Sequence, residues 1–323
     1  MFINTAELWT PLHEARQAVQ QCRGSMAWHT VGGRDYLKRK LGRSQRSLGP
    51  RSPATQATYN AFRAAKTRAG ERHRALAQQA AVQARFARAA ELNRVPMEVA
   101  GLCRLLVDRP HWRIIGTNAL HAYEARAGVR ITSGAEATQD ADVLWDTRDR
   151  KRAALVSPEL DPGGFIGLLQ KIDRTFERVE SQPFRAVNAH GFMVDLRRPF
   201  DTSELIDTEA RVSSLPSDLL AQPIRGLEWL VSSPMMQQLA IDARGFALRM
   251  TVPDPRAYAL HKLWLSGRSD REPVKRVRDR HQAELVGRLI VEQLPEFPLD
   301  EAALRQFPAA VREAGLANLP VGL

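Results

Sequence analysis

The 323-residue chain is 44% hydrophobic and 26% charged, with 47 Lys and Arg against 36 Asp and Glu and a net charge of +11. Those proportions describe a globular protein with room for a large core and exclude a fibrous or wholly disordered chain. No stretch approaches the roughly eighteen consecutive apolar residues of a membrane span.

The first segment, residues 5–22, has Thr5 placed to cap a helix and Leu8, Leu12, Ala15 and Val19 at helical spacing. Early acids and the lack of an apolar core argue against a secretory leader there. Cys22 and Cys103 are the only cysteines; they lack metal-ligand spacing, and so few thiols suit a reducing cytoplasm. Residues 24–55 are rich in Gly, Ser, Pro and bases. They read as mostly irregular, with a short strand or hairpin near Met26–Val31 and Tyr36–Lys40. Within it, "WHTVGGRDYL" either stacks bases or forms a local packing cluster, and packing is the expectation. From Ser52, with Pro53 in the first turn, an Ala/Arg/Gln helix runs to about Leu92, packing one narrow stripe or breaking near Gly70. Another helix follows from Pro96 to about Val107.

Between Arg34 and Arg94 fifteen Lys and Arg face three acids, so this third holds essentially all the excess charge. A polyanion such as nucleic acid is one implied partner; an arginine-rich solvated helix is the alternative.

The pattern then changes. "WRIIG" (112–116), "GVRIT" (128–132), "QDADVLWD" (139–146), "FRAVN" (184–188) and "FMVDLRRP" (192–199) read as strands. "TNALHAYEAR" (117–126) and "PGGFIGLLQKID" (162–173) read as helices. "LEWLVS" (227–232), "QLAIDARG" (238–245) and "FALRMTVP" (246–253) continue as strands, and from Pro255 the chain turns helical. Short strands around helices at this spacing indicate an α+β or α/β domain over about 110–200.

Asp140 and Asp142, two apart in a strand, project from one face amid Ala141, Val143 and Leu144. Two carboxylates so close repel unless a cation lies between them, and Mg²⁺ takes carboxylate oxygens together with substrate phosphates. Asp195 is a third acid in an apolar strand. Three converging acids would hold two metals about 4 Å apart, one activating a hydroxyl and one stabilising a pyrophosphate leaving group. Gly116-Thr117, at a strand–helix junction, offers backbone N–H groups and a hydroxyl to a triphosphate. The competing assignments are an edge-strand surface for Asp140 and Asp142, and a salt bridge to Arg197 or Arg198 for Asp195. Packing is expected for His121, Tyr123 and Trp145, and pairing with Arg126 or Arg130 for Glu124; Asp146 is left open.

The order "IIGTNALHAYE…TQDADVLWD…FMVDLRRP" resembles the polymerase-β-like nucleotidyltransferase superfamily. With "SLGPRSPAT", "SPELDPGGFIGLLQKIDRTFE", "RAVNAHGFMVDLRRP" and "VPDPRAYALHKLWLSGR", it is similar to a bacterial nucleotidyltransferase family near the AbiEii-type toxin enzymes, over about Trp28–Arg288. Two departures stand out: Thr117 replaces the commoner Ser, and a longer gap to Asp140 suggests an inserted β-hairpin. The resemblance implies an α+β fold with a polymerase-β-like mixed sheet and helical ends. It makes Asp140, Asp142 and Asp195 the catalytic ligands of Mg²⁺ or Mn²⁺, and Gly116 and Thr117 phosphate contacts. In "HKLWLSGRSDREPVKRVRD" it assigns Lys262, Arg268 and Lys275 to the nucleotide, with Asp279 orienting one of the bases. The expected organisation is a basic helical region at 1–108, a nucleotidyltransferase domain at 109–254 and a helical region at 255–323. The expected reaction moves an NMP from an NTP such as ATP to a hydroxyl and releases pyrophosphate, with RNA or tRNA as acceptor through the 34–94 segment. A catalytically idle nucleotide- or nucleic-acid-binding module, or a toxin or defence effector with an antitoxin, is the alternative.

Overall fold

The computed structural model describes residues 2–131, 139–148, 163–200, 210–213 and 215–319. The chain divides into two compact units, one of residues 1–93 with 244–247 and the other of 94–243 with 248–323.

In the first unit, helix α1 (Phe2–Gln21) begins before Thr5, which is buried inside it instead of capping it. Where a mostly irregular segment with a short strand or hairpin is expected, the chain forms a three-stranded antiparallel meander of β1 (Ser25–Val31), β2 (Arg34–Leu41) and β3 (Ser44–Pro50). Gly32 and Gly33, at φ +56° and +73°, make the tight β1–β2 turn that such a pair requires. Helix α2 (Pro53–Ala89) starts as its sequence dictates: the Ser52 hydroxyl accepts the Thr55 N–H and the Thr55 hydroxyl accepts the Ser52 N–H. It runs unbroken through Gly70, and its buried positions are alanines 69, 84 and 87. Helix α1 packs against it, and Arg72 of α2 pairs with Glu14 of α1 at 3.2 Å.

The second unit is an α+β assembly around a seven-stranded mixed sheet. Helix α3 (Met97–Leu106) leads into β4 (Trp112–Ile115), a one-turn 3₁₀ segment (Gly116–Ala119) and α4 (Leu120–Ala127). Then come β5 (Asp140–Trp145), α5 (Gly164–Ile172), β6 (Glu177–Val179), β7 (Gln182–Val187) and β8 (Met193–Pro199). After β9 (Ala210–Arg211) and β10 (Leu220–Ile224), α6 (Leu227–Ser232) precedes a β11 (Met235–Ile241) and β12 (Ala247–Pro253) pair. Three helices close the chain: α7 (Pro255–Ser266), α8 (Pro273–Gln293) and α9 (Ala309–Asn318).

The sheet order is β4-β5-β8-β10-β9, with β7 pairing β8 and β6 pairing β7. Strand β5 is antiparallel to β4 and parallel to β8. Ala141, Val143, Val194 and Leu196 are fully buried on one face of that central pair. Trp112 stacks on Trp145 and Phe165 at 5.8 and 5.1 Å. The other face carries the acids.

Two strand expectations fail. Residues 227–232 form α6, because Leu227, Leu230 and Val231, at i, i+3 and i+4, bury one helical face and Glu228 accepts the Gly226 N–H at 2.8 Å. Six residues are too few for periodicity to declare itself. Val129–Ile131 are irregular, and the rest of the expected inserted hairpin lies outside the described residues, as do residues 157–162 of the "SPELDPGG" stretch.

Candidate active site

Register sets the site. Asp142 lies opposite Ile115 on one side and Asp195 on the other, and Asp195 lies opposite Arg185 of β7. Side chains at paired positions share a face, so one lateral row across four strands reads Ile115, Asp142, Asp195, Arg185. Asp140 is two residues from Asp142 and joins the same face. All three acids line one cavity of about 350 Å³.

Asp195 is 2% exposed, and a carboxylate so buried needs cations. Arg185 grips it with two N–H bonds of 2.6 and 2.7 Å. Arg197, two residues on and on the same face, donates to Asp195, to Asp142 at 3.2 Å and to Gln222. The competing salt-bridge assignment for Asp195 is therefore met at Arg197, while Arg198 donates to the Pro199 carbonyl. Asp140 is held above the ordinary carboxylate range, first by burial and then by the charges of Asp142 and Asp195.

Gly116 stands against Asp142. Its φ is +66°, and a β-carbon there would come 2.7 Å from an Asp142 carboxylate oxygen. Glycine is required twice over, by dihedral and by space. The Asn118 amide donates to the Asp140 carbonyl at 2.8 Å, fixing the 3₁₀ turn to the start of β5. Thr117 is buried with its hydroxyl accepting from Gln282, and it does not line the cavity.

Helices α7 and α8 close the cavity's second wall. Lys262 (6% exposed) donates to Asp279 (fully buried) at 2.7 Å, and Arg271 reaches the other Asp279 oxygen at 2.8 Å. Burial pulls the Lys262 ammonium below its ordinary range against the pull of Asp279. Lys262, Arg271, Lys275 and Arg278 all line the cavity, and Lys275 is paired with Glu272 at 2.9 Å. Arg268, expected with them, does not line it: it lies in the turn between the helices, bonded to Asp270 at 2.8 Å over the Trp264 ring.

Six cations thus face three carboxylates around the space. Its remaining wall is apolar, from Ile224, Leu227, Leu230 and Leu265, with Tyr258 and His261. His261 is kept neutral by burial, down to about 3. The charged side suits a polyphosphate and the apolar side a flat or sugar-like group.

Elsewhere, His121, Tyr123 and Trp145 pack in the core as expected. Asp146 pairs with Arg148 at 2.7 Å. Glu124 pairs with Arg94 at 3.0 Å instead of Arg126 or Arg130; Arg126 bonds Glu296, and the Glu124 carboxylate also takes the Ile131 N–H.

Arg185, Arg271 and Gln222 were not singled out from sequence, whereas Arg278 belongs to the basic cluster that the sequence places with Lys262 and Lys275. Arg185 was within reach: a hairpin centred on His190 pairs it with Asp195. On α8, Lys275, Arg278, Asp279 and Gln282 repeat at helical spacing, which marks one face.

The match to known families agrees with this geometry. A family model described as Nucleotidyltransferase covers residues 98–307, and the chain belongs to that family. No curated protein and no solved structure matches it. The family implies a nucleotide substrate and nucleotidyl transfer, and no helix among the described residues is long and apolar enough to cross a membrane.

Divalent metals are usual in such enzymes. Among the described residues no three His, Cys, Asp or Glu are grouped closely enough to hold a metal ion. Asp140 and Asp142 nevertheless fit one: they share a face at a cavity, and Asp140 resists ionisation through burial first and the neighbouring negative charge of Asp142 second. Asp195 fits only when Arg185 and Arg197 turn away from it.

Proposed function

We propose that the protein is a metal-dependent nucleotidyltransferase moving an NMP from an NTP to a hydroxyl acceptor, with release of pyrophosphate. The observation that carries this reading is the pairing of Asp142 with Asp195 across adjacent parallel strands, beside Gly116 and under six cations. Asp140 and Asp142 would hold the ion, which supplies charge neutralisation to the triphosphate. Lys262, Arg271, Lys275 and Arg278 bind the triphosphate and its leaving pyrophosphate, which need more positive charge than metal alone provides. Asp279, bonded to Lys262 and Arg271, orients both. Asp195 completes the carboxylate trio and, once its arginines turn to phosphate, takes the acceptor proton.

RNA, including a tRNA end, is the acceptor best supported, because fifteen bases against three acids in residues 34–94 supply a polyanion-attracting field. The resemblance to AbiEii-type enzymes supports a toxin or defence setting for the same chemistry. The test is incubation with each labelled NTP, Mg²⁺ and total RNA. Label should enter RNA and should vanish with Asp142→Ala at unchanged fold. Label in protein would remove the RNA acceptor, and transfer by the variant would remove the carboxylates from the mechanism.

A further inference from the structure

Residues 1–93 of the first unit lie outside the family match, which starts at residue 98, and their sheet has two unlike faces. Leu37 on β2 is fully buried, and on its side Trp28 meets Tyr59 of α2 at 5.9 Å while Arg39 lies 4.9 Å over Phe62. The register pairs Trp28 with Leu37 and Met26 with Arg39, so this is the helix-covered face. Asp35 belongs to it as well. It is the single acid between Ser25 and Pro50, and it is held by the Thr30 hydroxyl at 2.7 Å and Arg51 at 3.1 Å.

Alternation sends the intervening residues to the opposite face. There Tyr36 pairs with His29, Lys38 with Ala27 and Lys40 with Ser25, while Ser47 and Gln45 of β3 continue the rows. His29 and Lys40 are exposed, and Tyr36 and Lys38 are partly exposed. This surface holds two rings side by side, flanked by lysines, with exposed Val31 and Arg34 at its β1–β2 end and no acid.

We propose that this outward face of β1–β3 binds single-stranded polynucleotide, with Tyr36 and His29 stacking unpaired bases and Lys38 and Lys40 contacting phosphates. A flat strand surface presents rings to unstacked bases, which a duplex keeps buried. Turning Asp35 inward removes the one charge that would repel a phosphate. The proposal rests on the RNA-acceptor reading for the identity of the strand. Binding is therefore measured without NTP or metal, so that a failure of transfer and a failure of this face are scored apart.

The experiment is fluorescence anisotropy of a labelled 20-nucleotide unstructured RNA with the full-length chain, titrated at several salt concentrations. Lys38→Gln with Lys40→Gln should lower the slope of log affinity against log salt by about 1.4, two contacts at about 0.7 each. Tyr36→Ala should weaken binding roughly tenfold with the slope kept. Tyr36→Phe should restore affinity and Tyr36→Leu should not, which separates stacking from mere packing of the sheet. Arg68→Gln with Arg74→Gln, an equal loss of exposed charge on α2, should leave affinity within about threefold. The assignment is overturned if the α2 pair costs as much as the lysine pair, if Tyr36→Leu binds like wild type, or if a duplex RNA binds as tightly as the single strand.

Discussion

Within residues 1–93, sixteen Lys and Arg stand against five acids, and none of the charged side chains described there is buried. In the unit that holds the carboxylate site, Arg113, Asp195, Lys262 and Asp279 are all buried, each against named partners. Charge in the first unit is spread at the surface, where it sums to a field that salt screens within about 10 Å. In the second it is spent locally, in low dielectric, where removing one partner strands another. The two units should therefore answer to different perturbations.

The largest effect belongs to the buried network. Asp279→Ala leaves Lys262 buried without its counter-ion and should cost about 3–5 kcal/mol in denaturant unfolding. The apolar pair Lys262→Met with Asp279→Leu should recover most of that loss. The exposed Arg51–Asp35 pair of the first unit, cut by Arg51→Ala, should cost no more than about 1 kcal/mol. Equal costs for the two would erase the contrast.

Acid should separate the units next. Burial lowers His121 from 6.5 to about 4 and His261 to about 3. At neutral pH both are uncharged in either state. As pH falls below 6.5 the unfolded chain takes up protons that the folded one refuses, so stability drops with acid. For His121 alone the loss approaches roughly 3 kcal/mol near pH 4. Unfolding curves between pH 7 and 4.5 should show that decline, and His121→Leu should flatten it.

How much of this was readable beforehand follows the range of the forces involved. Local rules placed the start of α2, through Ser52 and Pro53. The i, i+2 spacing of Asp140 and Asp142 placed both on one face without any tertiary information. What escaped needed partners far away in sequence. Arg113 caps the end of α6 by donating to the Val231 carbonyl at 3.2 Å, a contact across 118 positions that helps to make residues 227–232 a helix. Glu124 chose Arg94, thirty residues upstream, over two arginines on its own doorstep. Arg268 looked like its neighbours by charge, and only the α7–α8 turn set it apart.

Gly116→Ala tests the close approach at the site. A left-handed φ costs a non-glycine residue about 1–2 kcal/mol, and the new methyl would push on the Asp142 carboxylate as well. Stability should fall by about that amount, while labelled-NMP transfer should fall by a larger factor, because a shift of about 1 Å at a reacting group costs on the order of a hundredfold. A loss of stability without a disproportionate loss of transfer would mean that Gly116 serves the turn alone.

Arg268→Ala should have the smallest effect of all. Its guanidinium is bound to the exposed Asp270 and lies over Trp264. An exposed pair contributes about 0–1 kcal/mol and the ring contact about 0.5–1 kcal/mol. Removing both should lower stability slightly and leave the KM for the NTP unchanged, whereas Arg271→Ala, which cuts a contact to Asp279 at the cavity, should raise it. A raised KM for Arg268→Ala would show that the α7–α8 turn moves over the nucleotide. It would also place in the local, paired regime a charge that the structure leaves at the surface.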